Sequence, residues 1–196
     1  SQAGALFDLT DREVLYSKDA FEKMYPASIT KVMTALIAIK YGNLQDQVTV
    51  TDDAVITETG ATLCGIQPGD TLTLEQLLYG LMLPSGNDAG AAIAIHMAGN
   101  MDAFADKMNE EARRLGATDT HFVNPHGLHD EDHYTTAYDL YLIFNEALKY
   151  PEFRTVTGST AYTANYTNKA GESVSKTWRG GNWYLTGEHE TPEGLT

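Results

Sequence analysis

Ser28-Ile29-Thr30-Lys31 sets a hydroxyl and an amine three positions apart. At the start of a helix that spacing puts both side chains on one face, within reach of each other. The chemistry it suggests is nucleophilic catalysis. A serine hydroxyl attacks weakly until a neighbour takes its proton, and a lysine takes it only if burial or another cation lowers its pKa. The N–H groups of a helix start favour the negative charge that develops on attack. The spacing alone is a weak signal, because Ser173-Val174-Ser175-Lys176 repeats it. That copy lies in a Gly- and Asn-punctuated stretch without helical periodicity and is read as coincidence. Taken by itself, even the first copy reads as a solvent-facing Ser and Lys.

Ser85-Gly86-Asn87 shifts the balance toward chemistry, because it offers a second hydroxyl and an amide on a break between two helical patterns. Ser85 can relay a proton between Lys31 and a leaving group, and the amide of Asn87 can hold Lys31 and a substrate carbonyl. The bland alternative is an ordinary helix-to-helix turn capped by Asn or Asp.

The elements that must position these groups follow from periodicity. Residues 3–9 and Val14-Leu15-Tyr16, with Asp11-Arg12 between them, predict a hairpin. Residues 28–40 predict a helix, with Val32, Leu36 and Ile39 at helical spacing and Gly42 as its stop. It is apolar almost all round, which predicts a central, buried helix. Residues 47–51 read as a short strand. Thr73 with Gln76 forms a capping-box pattern opening a helix to about Leu83, which Pro84 ends. Asp88 starts a small-residue helix over 89–98, and Asn100 caps a third that ends at Gly116. On the third, Asp102, Asp106, Glu110 and Glu111 read as a solvated acidic face. A loop over 124–134 leads to a helix over 137–149 stopped by Pro151, and residues 155–196 read as strands and turns. The order predicts an α+β fold, a helical block packed on an antiparallel sheet.

The 196 residues carry 42% hydrophobic and 20% charged side chains, enough to bury roughly 70% of the unfolded surface in one domain. A net charge of -14 argues against nucleic acid and anionic lipid as partners. The single Cys64 allows no internal disulfide and, lacking a basic neighbour, reads as a small packing residue. No stretch reaches the roughly 18 apolar residues of a membrane span, and none resembles a signal peptide, so any targeting segment is expected to have been removed. His126, His129, Asp130, Asp132 and His133 crowd together but match no closed zinc pattern, so a surface loop near a cleft is the reading, with no metal. His96 reads as a satisfied structural histidine among Ala and Ile.

Pro26 to Ala35, around the first motif, and Leu77 to Ala89, around the second, resemble the serine D-alanyl-D-alanine carboxypeptidases, the low-molecular-mass penicillin-binding proteins of peptidase family S11. Asn124-Pro125-His126-Gly127-Leu128 and His133 to Leu140 are similar to another stretch of that family, and the likeness runs through residues 3 to 150. The resemblance implies a β-lactamase/DD-peptidase-like fold. It implies Ser28 as nucleophile, Lys31 as general base and acid, Ser85 as proton relay and Asn87 as a substrate-binding residue. The reaction implied is removal of the terminal D-alanine from the peptidoglycan stem peptide through an acyl-enzyme, without cofactor. β-Lactams would be covalent inhibitors and the location extracytoplasmic, with membrane anchoring left open.

The Lys-Thr-Gly triplet of such enzymes does not occur: Lys176-Thr177 is followed by Trp178, and Thr186-Gly187 is preceded by Leu185. The expectation is a catalytic domain over 1–196 whose C-terminal part, and with it part of the sheet, is missing, leaving this stretch alone weakly active or inactive. The other explanation is a relative that lost the motif and serves as a non-catalytic peptidoglycan-binding module. A β-lactamase is the rival enzyme. Gly86 stands where class A enzymes carry Asp, and no Glu-Leu-Asn segment follows to activate a deacylating water.

Overall fold

The apolar run that begins at Lys31 becomes the centre of the molecule. A computed structural model describes residues 2–11, 13–182, 185 and 187. In it, helix α1 (Lys31–Tyr41) is buried from Lys31 through Ala38. A β-hairpin precedes it, β1 (Gly4–Asp8) and β2 (Glu13–Lys18), with a register shift between Leu6 and Phe7. Arg12 in its turn lies outside the described residues. After α1 come β3 (Gln47–Thr49), β4 (Thr71–Thr73), α2 (Leu74–Met82), α3 (Asn87–Ala98) and α4 (Met101–Leu115). The chain continues through α5 (Ala137–Ala147), α6 (Pro151–Thr157), β5 (Ala161–Thr167) and β6 (Ser173–Arg179). Helix α1 touches each of the other five helices, as a helix apolar on all sides must.

There are two sheets rather than one among the described residues. The hairpin stands apart, and β3-β4-β5-β6 form a four-stranded antiparallel sheet. The helical block therefore has β-structure on two flanks, and the α+β expectation is met with a different distribution of strands. All of β2 is exposed.

Local signals account for most helix ends. Thr73 and Gln76 complete the capping box, each bonding the other's backbone N–H. Asn100 accepts the N–H of Ala103, and Gly116 closes α4 at φ 84°. Two expectations, at Pro151 and at Glu111, need correction. Pro151 does not end a helix but opens α6 at its first turn, where a missing N–H costs nothing; α5 stops earlier, at Ala147, and Thr155 to Thr157 are helical. Gly42 stops α1 as expected, in extended backbone at φ -92°, and its value there is space: a Cβ would sit 2.6 Å from the Ala38 carbonyl oxygen. Glu111 is not on a solvated face but 3% exposed, bonded to Lys40, Tyr41 and Arg114. Residues 188–196, part of the segment read as strands and turns, lie outside the described residues.

The core is continuous around α1, with Leu36, Leu74, Leu77, Leu78, Leu81, Ile93 and Phe104 fully buried. The small residues of α3 allow close approach. At Gly90 an added Cβ would lie 3.3 Å from Leu81 and 3.4 Å from His126, which brings α2 and the loop before α5 together around one point.

Candidate active site

Ser28 does not sit on α1 itself. It belongs to a 3-10 turn, Ala27–Thr30, that feeds directly into Lys31. Ala27 enters this turn at φ 47°, a left-handed conformation that costs a β-carbon residue roughly 1–2 kcal/mol. Gly127 presses against it so closely that a Cβ there would overlap the Ala27 carbonyl, and only glycine fits. Met24 pairs with Thr135 as an isolated bridge, and Thr30 Oγ1 lies 2.7 Å from His133 Nε2. Because His133 Nδ1 accepts from the Val123 N–H, its Nε2 carries the proton and donates to Thr30. Burial, with His121 and His129 nearby, pushes the His133 pKa down to about 4, which keeps this neutral tautomer in place at neutral pH. Ser28 is thus left exposed on a turn clamped from behind.

Lys31 is 2% exposed. Its Nζ lies 3.2 Å from Ser28 Oγ, 2.6 Å from Asn87 Oδ1 and 2.7 Å from the carbonyl oxygen of His126. Burial lowers its pKa from 10.5 to about 8, opposed by the negative charge of Asp88. Ser85 Oγ donates to Ser28 Oγ at 3.0 Å, from a residue at φ 62°. The helix break is therefore a strained turn that turns a hydroxyl toward the nucleophile position. Asn87 opens α3, and its own N–H donates to the Thr62 carbonyl at 2.8 Å.

The four residues singled out by spacing, Ser28, Lys31, Ser85 and Asn87, meet at one place. The repeat at Ser173 and Lys176 does not: it lies on β6, where Lys176 Nζ donates to the Gly65 carbonyl. Thr186, part of the second incomplete triplet, lies outside the described residues.

Two contributions were invisible in the sequence. The His126 backbone carbonyl holds Lys31, and nothing in a residue's identity marks its carbonyl as an acceptor. The carboxylate of Asp88 takes the N–H groups of Cys64, Gly65 and Ile66, although position 88 reads only as a helix start. Of the crowded loop residues, His126 and His133 are buried structural groups, and no cluster of three or more His, Cys, Asp or Glu suited to a metal occurs among the described residues. His96 lies at the surface, 3.3 Å from Asp46, rather than among its apolar neighbours. Cys64 is buried, its thiol pKa raised by burial and by Asp88, which makes it a packing group.

Comparisons with known proteins identify the family of the chain. The D-alanyl-D-alanine carboxypeptidase family profile, peptidase S11, matches residues 1–188. The chain is 34% identical over 163 residues to D-alanyl-D-alanine carboxypeptidase DacF of Bacillus subtilis, covering 81% of this chain and 42% of that protein. It is 39% identical over 159 residues to DacB2 of Mycobacterium tuberculosis, covering 80% and 54%. Among solved structures, the Streptomyces K15 DD-transpeptidase superposes with a TM-score of 0.86 at 34% identity, covering 94% of this chain and 74% of that one. The chain spans about half the length of these two curated relatives.

Proposed function

Because this chain belongs to the D-alanyl-D-alanine carboxypeptidase family, we propose that it forms the acylating half of a serine DD-peptidase that removes the terminal D-alanine from peptidoglycan stem peptides. The observation that carries this reading is how the contacts of Lys31 are distributed. A neutral amine has two N–H groups and one lone pair. The Asn87 and His126 oxygens can only accept, and at 2.6 and 2.7 Å they take both N–H groups. The lone pair is left for the third contact, Ser28 Oγ at 3.2 Å.

In this reaction Lys31 takes the hydroxyl proton as Ser28 Oγ bonds to the carbonyl carbon of the penultimate D-alanine. The peptide C–N bond then breaks, and Ser85, in contact with Ser28, passes a proton to the departing amine while Lys31 replaces it. Water releases the shortened peptide and restores the serine. Asn87 serves twice, fixing the amine and offering its Nδ2–H to the substrate. The ring of a penicillin would react with Ser28 by the same first step. A substrate of this kind places the protein in the cell envelope outside the cytoplasmic membrane; no helix among the described residues is long and apolar enough to cross one.

The test is release of D-alanine from a diacyl-Lys-D-Ala-D-Ala peptide by the protein and by Ser28→Ala and Asn87→Ala. Release that depends on both residues supports the assignment. Release indifferent to Ser28, or rapid turnover of a chromogenic cephalosporin, contradicts it.

A further inference from the structure

Residues 62–66 cross the back of the Ser85-Gly86-Asn87 turn as a strap whose polar groups are bound on both sides. Toward the site, Asp88 Oδ1 accepts the Cys64 N–H at 2.8 Å, and Oδ2 accepts those of Gly65 and Ile66 at 2.7 and 3.2 Å. Toward the sheet, Trp178 Nε1 donates to the Cys64 carbonyl at 2.9 Å and Lys176 Nζ to that of Gly65 at 2.6 Å. The Thr62 carbonyl accepts the Asn87 N–H. Gly65 has φ 80°, and a Cβ there would collide with Lys176 Nζ at 2.5 Å. The stretch Lys176-Thr177-Trp178, an incomplete match to a cleft motif, thus serves as the outer anchor of this strap.

Asp88 is 5% exposed. A carboxylate is expensive to bury, and packing against Cys64 would be served as well by an apolar side chain. It adjoins Asn87 at the start of α3, and its charge acts on Lys31 against the effect of burial. We propose that Asp88 is a positioning residue of the active site, fixing Asn87 through the strap and, from the position next to Asn87, presenting its carboxylate to the Lys31 amine that Asn87 Oδ1 holds at 2.6 Å. This rests on the reading of Lys31 as the base for Ser28.

The titratable groups around Lys31 are Asp88 on α3 and His126 on the loop before α5, with His133 acting on His126. Cys64 and Lys176 lie on the strap side of Asp88. Burial, with help from the Lys31 charge, pushes the His126 pKa down to about 4, so near neutral pH Asp88 is the group whose charge opposes the burial of Lys31.

The experiment measures the rate constant for acylation by a fluorescent penicillin across pH in the protein, Asp88→Asn and Asp88→Glu, with circular dichroism to confirm folding. Removing a negative charge near an ammonium makes its proton easier to lose. Asp88→Asn should therefore move the rising limb to lower pH. Its amide would also turn a donor toward the Gly65 and Ile66 N–H groups, and the displaced strap should lower the plateau about ten- to a hundredfold. Asp88→Glu keeps the charge, so its limb stays in place while the plateau falls. A lowered plateau with an unmoved limb in Asp88→Asn would show a merely structural role and overturn the proposal. If Asp88→Asn does not fold, Asp88→Glu decides, and a plateau equal to the parent's overturns it. Failure of the functional reading appears separately, as a parent protein that penicillin does not label.

Discussion

Acylation of Ser28 should follow the titration of Lys31, and the structure sets where. Lys31 is almost completely buried, and its pKa falls from 10.5 to about 8. At pH 7 about one molecule in ten carries the neutral amine, whereas an exposed lysine would be neutral in about one in three thousand. Burial therefore supplies roughly 300-fold more base at neutral pH. The second-order rate constant for penicillin acylation reports the unliganded protein. It should rise about tenfold from pH 6 to 7, about fivefold from 7 to 8, and level off above about 9. The assay is stopped-flow or quenched labelling with a fluorescent penicillin from pH 6 to 10. Lys31→Arg, permanently charged, should lower the rate about 10²- to 10⁴-fold and abolish the rising limb. A rate independent of pH over this range, or a midpoint near 10.5, would refute the assignment of Lys31 as a buried base.

Other outcomes follow from residues away from the nucleophile. Burial alone would raise the Glu111 carboxyl, but hydrogen bonds from Arg114, Lys40 and Tyr41 hold it down to about 2 against an ordinary 4.5. The stabilisation is complete above about 4.5 and is lost as pH falls through about 2, so Glu111→Gln should cost about 2 to 3 kcal/mol at pH 7 and progressively less below pH 4. Urea denaturation at several pH values checks this, and a variant as stable as the parent at pH 7 would contradict it. Gly127→Ala would drive a methyl group into the Ala27 carbonyl at a φ of 87°. It should reduce penicillin labelling at least tenfold by displacing the Ser28 turn, and a fully active Gly127→Ala would disprove that the turn is held by this contact.

What the sequence made legible was chemistry carried by side chains at short spacing. Ser28 with Lys31, and Ser85 with Asn87, were visible as pairs, and the Thr73-Gln76 and Asn100 caps as local patterns, because each depends on residues within one helical turn. What stayed hidden depends on groups that carry no identity or on contacts between distant segments. The His126 carbonyl is one backbone acceptor among many. Glu111 sits in an amphipathic pattern whose acidic side looks solvated, and only the arrival of Lys40 and Tyr41 from α1 makes burial tolerable. Asp88 has the composition of a helix start, and its partners lie 22 to 24 positions earlier in irregular chain. Pro151 looked like a terminator because proline both ends helices and begins them, and sequence alone gave no sign that a second helix followed at once. The division of the strands into two sheets depends on which edges meet, which alternation along one strand does not encode.

Acylation of Ser28 with help from Lys31 leaves a mass that can be weighed, by mass spectrometry of the protein after incubation with benzylpenicillin. The predicted result is a single covalent adduct, one penicillin per chain, mapped by peptide digestion to Ser28 and absent from Ser28→Ala. An adduct on another residue, or one that persists in Ser28→Ala, would contradict it.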